Sequence, residues 1–374
     1  MSKIAEVRPA LPRALMVMLG MAATVVVILG LQAASDIIAP AFLALVLTIV
    51  VHPMRNWLVR WMPGWASTLV CVVVVYLLVL GLVISLLVSA ARFATLLPSY
   101  QAQFEGLIQG AADGLTSAGV SDEQIQRVAD SFDLGRLVGV IESLLSSLAG
   151  VTGDVVFVLT LVIFMAMDGR LFPRLLGAAG EERPDMVSAL RSFSQGTRSY
   201  LLVSTVFGLI VAVFDTVALE ILGIPAPILW GLLAFITNYI PNIGFVIGVV
   251  PPAILGLLEG GPGLMLWVIV VYSVINVIIQ SVIQPKFVGD AVGLSVSLTF
   301  LSLIFWTWVI GPLGALLAIP LTLLAKAVFI DADPRSQWLR PLVSGVPAPA
   351  VDAQASENAA EDAQETAKSE QSEA

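Results

Sequence analysis

Residues 224–258 and 298–330 are two apolar stretches that fit neither one membrane helix nor two. A straight helix of about 35 residues extends on the order of 50 Å, against a hydrocarbon core of about 30 Å. Each stretch is interrupted near its middle, at Pro241-Asn242-Ile243-Gly244 and at Gly311-Pro312-Leu313-Gly314. Half of either stretch is too short to cross. Two foldings satisfy these lengths: a pair of re-entrant helical hairpins, or two long kinked spans. The interruptions also echo each other, because IPNIGFVIGVVP (240–251) aligns with IGPLGALLAIP (310–320) and brings Gly244 onto Gly314. Irregular backbone at membrane depth persists only where protein or a water-filled cavity satisfies its polar groups.

The composition of the whole chain points to lipid as its solvent. Of 374 residues, 58% are hydrophobic and only 12% are charged. Soluble domains are about a quarter charged. The expected fold is therefore an all-α polytopic membrane protein, with about six full spans, the two broken segments and a small helical insertion on the exterior. One cysteine, Cys71, excludes an intrachain disulfide, and one histidine, His52, excludes His-pair metal sites. Neither a cofactor nor a nucleic-acid partner is expected. The net charge of −9 comes largely from 341–374, where seven acids face one base. That Ala/Glu/Gln/Ser tail buries too little apolar area to fold.

Basic residues order the spans. Lys3, Arg8 and Arg13 precede the first apolar run, with no cleavage pattern before it, and Arg55 and Arg60 follow the second. Arg170, Arg174, Arg183, Arg191 and Arg198 follow the fourth. All three groups fall on one side, which the positive-inside rule makes the cytoplasm. The expected layout is a cytoplasmic N-terminus (1–13), three spans (14–90), an exterior helical segment (91–147) and a fourth span (148–167). A cytoplasmic amphipathic loop (168–199), a C-terminal core (200–330) and an acidic cytoplasmic tail (331–374) complete it. The exterior segment carries a capping-box pattern at Ser121–Gln124 and helical spacing from Leu137 to Leu148.

Polar groups inside this apolar frame are the functional candidates. Paired Gly/Pro-broken segments point to a transporter's binding site. Between them, Ser273, Asn276, Gln280 and Gln284 follow at intervals of 3, 4 and 4, on one helical face. Amides in hydrocarbon are costly unless paired. The stripe therefore either bonds neighbouring helices or lines a polar path that Asn238 and Asn242 can join. The candidate path comprises Asn238, Pro241, Asn242, Gly244, Asn276, Gln280, Gln284, Gly311 and Gly314. Intramembrane carboxylates are functional by default. Asp215, deep in the fifth span (200–222), and Asp154, near the exterior end of the fourth, are the candidates for ion coupling. Glu220 and Glu259 belong at the interface, and Lys326 can snorkel. No nucleophile–base pair or carboxylate dyad marks an enzyme.

The blocks FITNYIPNIGFVIGVVPP, NVIIQSVIQPKFVGDAVGLSVS and GPLGALLAIPLTLLAK resemble the autoinducer-2 exporter family of bacterial membrane proteins. The resemblance runs from about Leu15 to Asp333. It implies a multi-pass permease of the bacterial inner membrane that assembles as a homo-oligomer, with both termini cytoplasmic. Family members are described as exporters of the quorum-sensing signal autoinducer-2, others as sodium(lithium)/proton antiporters. By position the motif residues are Pro241, Asn242, Gly244, Pro285, Gly289, Gly311, Gly314 and Pro320. Many relatives carry a glutamate shortly before the proline matched by Pro285. Here 279–284 reads IQSVIQ, without an acid. A neutral, hydroxyl-rich substrate suits those amides better than a cation does.

Overall fold

The computed structural model describes residues 12–117, 139, 152–169, 172–241, 243–284 and 293–344, and among them every regular element is helical. The protein is an all-α polytopic membrane protein. Among the described residues, five helical stretches are long and apolar enough to cross a bilayer, one of them (Gly244–Gln280) bent at Gly260 and Gly261, and four shorter apolar helices accompany them. The capping-box and Leu137–Leu148 patterns, together with Lys286, Gly289 and the acidic tail, lie outside the described residues.

The first half is a layer of long helices: α1 (Arg13–Ala33), α2 (Ser35–Leu58), α3 (Gly64–Leu96) and α5 (Thr152–Asp168). Val17, Met21, Val26 and Leu77 stand exposed on α1 and α3, as side chains facing lipid do. Ala44, Val75, Val158 and Val162 join α2, α3 and α5 in a small core. α3 has 33 residues, about 50 Å, so its far end projects out of a bilayer. A 3₁₀ turn (Leu97–Tyr100) there leads into α4 (Gln101–Ser117).

After α6 (Phe172–Glu182), α7 (Pro184–Ile221) runs for 38 residues. The sequence suggested an amphipathic cytoplasmic loop over 168–199 followed by a span from 200, but the structure carries one helix through that boundary. Pro184 opens it at a position where a missing N–H costs nothing, and no breaker intervenes before Gly223, whose φ is +74°. α7 is the mast on which the C-terminal core is hung.

Both broken segments fold back as hairpins. In the first, α8 (Pro227–Thr237) is followed by the break at 238–243 and then α9 (Gly244–Asn276). α8 has 11 residues, about 16 Å, which cannot cross. Gly244 abuts the Thr237 carbonyl and Gly248 faces Ala234, so the chain returns along α8. α9 itself turns at Gly260 and Gly261, the latter at φ +72°, where glycine avoids the Cβ clash. Its second arm descends beside the first, with Gly256 against Met265 and Val268, and continues as a π-helical stretch, Val277–Ile283.

The second hairpin joins α10 (Val296–Ile310) and α11 (Pro312–Lys326) through Gly311, at φ +72°. Ser295 caps α10 by accepting from the Leu298 N–H at 3.3 Å, and Trp306 Nε1 donates to Thr322 Oγ1 across the arms at 3.1 Å. A short π stretch (Ala327–Asp331), a 3₁₀ turn (Pro334–Leu339) and α12 (Arg340–Ser344) follow. There Asp331 pairs with Lys326 at 3.9 Å and with Arg340 at 2.9 Å, so Lys326 is held by an acid rather than left to snorkel.

The hairpins enter from opposite ends of α7. Ile224, Leu229 and Leu258 at the base of the first pack with Leu219. Ala327 at the base of the second packs with Ala189 and Phe193. The two overlap in the middle, where Ile240 and Ile243 of the first tip lie on Leu303, Ala315 and Ala318.

Polar and aromatic contacts tie the projecting arm to this core. The Tyr100 hydroxyl donates to Glu259 at the base of the first hairpin, and Phe93 stacks edge-on against Trp230, with ring centroids 4.9 Å apart. Burial, then the bond to Glu259, pushes the Tyr100 phenol up to about 12. Its folded value lies above its unfolded one, so this contribution to stability is complete below pH 10 and is lost as pH rises through about 12. In an absorbance titration, the difference between wild type and Tyr100→Phe is expected to be one tyrosine ionising late. A difference that ionises near the ordinary value excludes this tie.

Candidate functional site

At the tip of the first hairpin the chain leaves α8 and runs through Asn238, Tyr239, Ile240 and Pro241. Asn242 lies outside the described residues. Asn238 continues the helical backbone by one residue and points its amide at α7. Its Nδ2 donates to the Ser204 carbonyl at 2.9 Å, and Gly208 one turn later leaves room for the side chain. Tyr239 is fixed on the same helix, because Tyr200 Oη donates to its carbonyl at 3.0 Å and its own hydroxyl meets Thr205 Oγ1 at 2.7 Å.

The second arm of α9 closes the site. Gln280 Nε2 donates to Asn238 Oδ1 at 2.9 Å and to Asn276 Oδ1 at 2.7 Å, using both amide hydrogens. Asn276 Nδ2 in turn donates to the Tyr272 carbonyl at 2.9 Å. Gln280 lies within the π-helical stretch, a departure from α geometry often found at functional sites. Of the sequence stripe, Asn276 and Gln280 thus join Asn238 in one network, while Gln284 is half-buried farther along.

Farther along α7, near Asn276 and Tyr272, sits Asp215, fully buried. Neither carboxyl oxygen has a hydrogen-bond partner among the described residues. Asn276 and Tyr272 are the polar groups near enough to interact with it. A buried carboxyl in such a place is either neutral or holding a cation. Asp154 is in the first turn of α5, away from this cluster by its place in the fold.

Gly244 and Gly314 play one structural role. Each stands just past its break, and a Cβ on Gly244 would run into the Thr237 carbonyl, one on Gly314 into the Trp306 carbonyl. Gly311 supplies the positive φ of the second turn. Pro241 lies in the first turn, where its carbonyl accepts from Ile243 N at 2.7 Å.

Sequence reasoning passed over Ser204, Gly208, Tyr200 and Tyr239. A signal was present: Ser204, Gly208, Ala212 and Asp215 follow at intervals of 4, 4 and 3, a small and polar face in an apolar helix, and all four are buried.

These features define a class: a polytopic helical membrane protein in which two broken segments enter from opposite ends and meet, with a polar cluster at the tip of the first. Residues 15–332 match the family model described as AI-2E family transporter, and the chain belongs to that family. It is 30% identical over 311 residues to the "Putative transport protein YhhT" of Escherichia coli (strain K12), covering 83% of this chain and 89% of that one. It is 29% identical over 313 residues to the AI-2 transport protein TqsA of the same organism, covering 83% and 90%. A transport protein of Haemophilus influenzae, again named as putative, is 29% identical over 331 residues, covering 85% and 93%. The protein is a multi-pass membrane transporter.

Proposed function

We propose that this transporter moves a small, polar, uncharged molecule across the bacterial inner membrane, and that autoinducer-2 is its substrate. The observation that carries this reading is the Gln280 amide bridging Asn238 on the hairpin tip and Asn276 on α9. Parting those three amides offers donors and acceptors to a hydroxylated ligand and uncovers no charge. Asn238, Pro241, Gly244, Asn276, Gln280, Gln284, Gly311 and Gly314 line or shape the path, together with Asn242. A relative named for AI-2 transport supports the choice of substrate. The three basic groups of the sequence support a cytoplasmic N-terminus, the expected layout of the C-terminal core puts the C-terminus on the same side, and the family resemblance favours a homo-oligomer.

One observation favours a second reading, sodium(lithium)/proton antiport: the unpartnered, buried carboxyl of Asp215. Asp154 is its candidate companion.

Proteoliposomes separate the two. Vesicles loaded with autoinducer-2 are expected to release it faster with the protein than without it. A sodium gradient is expected to produce no protein-dependent pH change. In the antiport reading the pH change appears and Asp215→Asn abolishes it. If exchange survives Asp215→Asn, the relay does not run through that residue.

A further inference from the structure

At the C-terminal end of α2, three cationic or titratable side chains lie within electrostatic reach, and no acid among the described residues pairs with them. His52 and Arg55 occupy the last turns of α2, and both Arg55 and Arg198 of α7 act electrostatically on His52. Arg55 Nε donates to Thr68 Oγ1 at 3.0 Å, and Thr68 in turn donates to the Gly64 carbonyl at 2.9 Å. The guanidinium is therefore held by its inner nitrogen, with its outer nitrogens turned to no protein acceptor among the described residues. The ion pairs found among those residues are Lys326–Asp331 and Arg340–Asp331, so neither Arg55 nor Arg198 is paired with a described acid. Asp168, exposed at the end of α5 on the same side, does not reach within ion-pair distance of either.

An apolar groove runs from this cluster toward the membrane interior, walled by Val51 of α2, Val72 and Val75 of α3, and Val162 and Ala166 of α5. Around the same end, Trp57, Trp61 and Trp65 are 60%, 78% and 66% exposed. Exposed tryptophans at one level mark the membrane–water interface, where lipid phosphates lie. Cationic side chains between helices at that depth, above an apolar slot, match the chemistry of a phospholipid with a net negative headgroup.

We propose that His52, Arg55 and Arg198 bind the headgroup phosphate of an anionic phospholipid, with an acyl chain lying in the groove between α2, α3 and α5. Free phosphate shares the headgroup chemistry but makes no use of the groove or the tryptophan level. The bound lipid joins α7, the mast of the transport core, to the N-terminal layer.

The test uses the purified full-length chain in a neutral detergent, with phosphatidylglycerol, phosphatidylcholine or inorganic phosphate added. Thermal midpoint and lipid adducts in native mass spectra are read together. Phosphatidylglycerol is expected to raise the midpoint and to stay bound, whereas phosphatidylcholine and phosphate do neither. Arg55→Gln with Arg198→Gln is expected to remove both effects, while the exposed pair Arg183→Gln with Arg335→Gln keeps them. Where the first pair does not fold, Arg198→Gln alone, which spares the Arg55–Thr68 bond, is expected to reduce adduct retention. An equal response to phosphatidylcholine, an equal response to phosphate alone, or unchanged retention in the Arg198 variant overturns the proposal.

Discussion

Gly244→Ala and Gly314→Ala are expected to destabilise the protein sharply, although alanine is the better helix former. The new Cβ on Gly244 would overlap the Thr237 carbonyl, and that on Gly314 the Trp306 carbonyl. A backbone carbonyl cannot rotate away as a side chain does, so the two arms of the hairpin must separate. Overpacking costs about 1–3 kcal/mol, and a clash with backbone falls at the upper end of that range. The helix propensity regained is at most about 1 kcal/mol. Packing therefore wins. Gly81 of α3 has nothing within 4 Å of its Cβ position and supplies the control. Thermal unfolding in detergent is expected to show a lowered midpoint for Gly244→Ala and Gly314→Ala, and an unchanged or raised one for Gly81→Ala. Wild-type midpoints in both hairpin variants would mean that the tight turns do not limit stability.

Gln280→Leu is expected to have the second largest effect, because one amide serves two partners. Its loss strands Asn238 Oδ1 and Asn276 Oδ1 at once. A buried acceptor left unpaired costs about 1–3 kcal/mol. Replacing Asn276 and Gln280 together by leucine removes one of the stranded acceptors along with its donor. The pair is thus expected to be less destabilising than the sum of the single changes. Midpoints of the two single variants and the pair measure that coupling, and efflux from proteoliposomes measures its use. A folded Asn276→Leu, Gln280→Leu protein is expected to lose autoinducer-2 efflux. If it exports at the wild-type rate, the amides are only a structural tie.

Much of this architecture was legible in the chain. The excess length of 224–258 and 298–330, with a Gly/Pro break in each, limited the possibilities to hairpins or kinked spans. The spacing of Asn276 and Gln280 put them on one face before any fold was known. Less legible was the course of α7. The amphipathic stretch 168–199 suggested a cytoplasmic loop separate from the fifth span, but backbone hydrogen bonding continues where nothing interrupts it. The partners of the stripe were not legible either. Ser204 and Asn238 are 34 residues apart, and Asn238 and Gln280 are 42 apart. No periodicity within a single helix specifies such contacts.

What the sequence by itself determined is therefore the solvent, the helical class and the places where helices must break. Those depend on composition, on length against bilayer thickness, and on the backbone limits of proline and glycine, all local properties. Only the tertiary structure decided that both breaks are hairpins, that they enter from opposite ends of α7, and that the second arm of α9 closes a network of amides against the first tip, beside Asp215. These outcomes depend on side chains from distant segments filling the same small volume. There, a missing Cβ at Gly244 and a shared donor at Gln280 matter as much as the hydrophobicity around them.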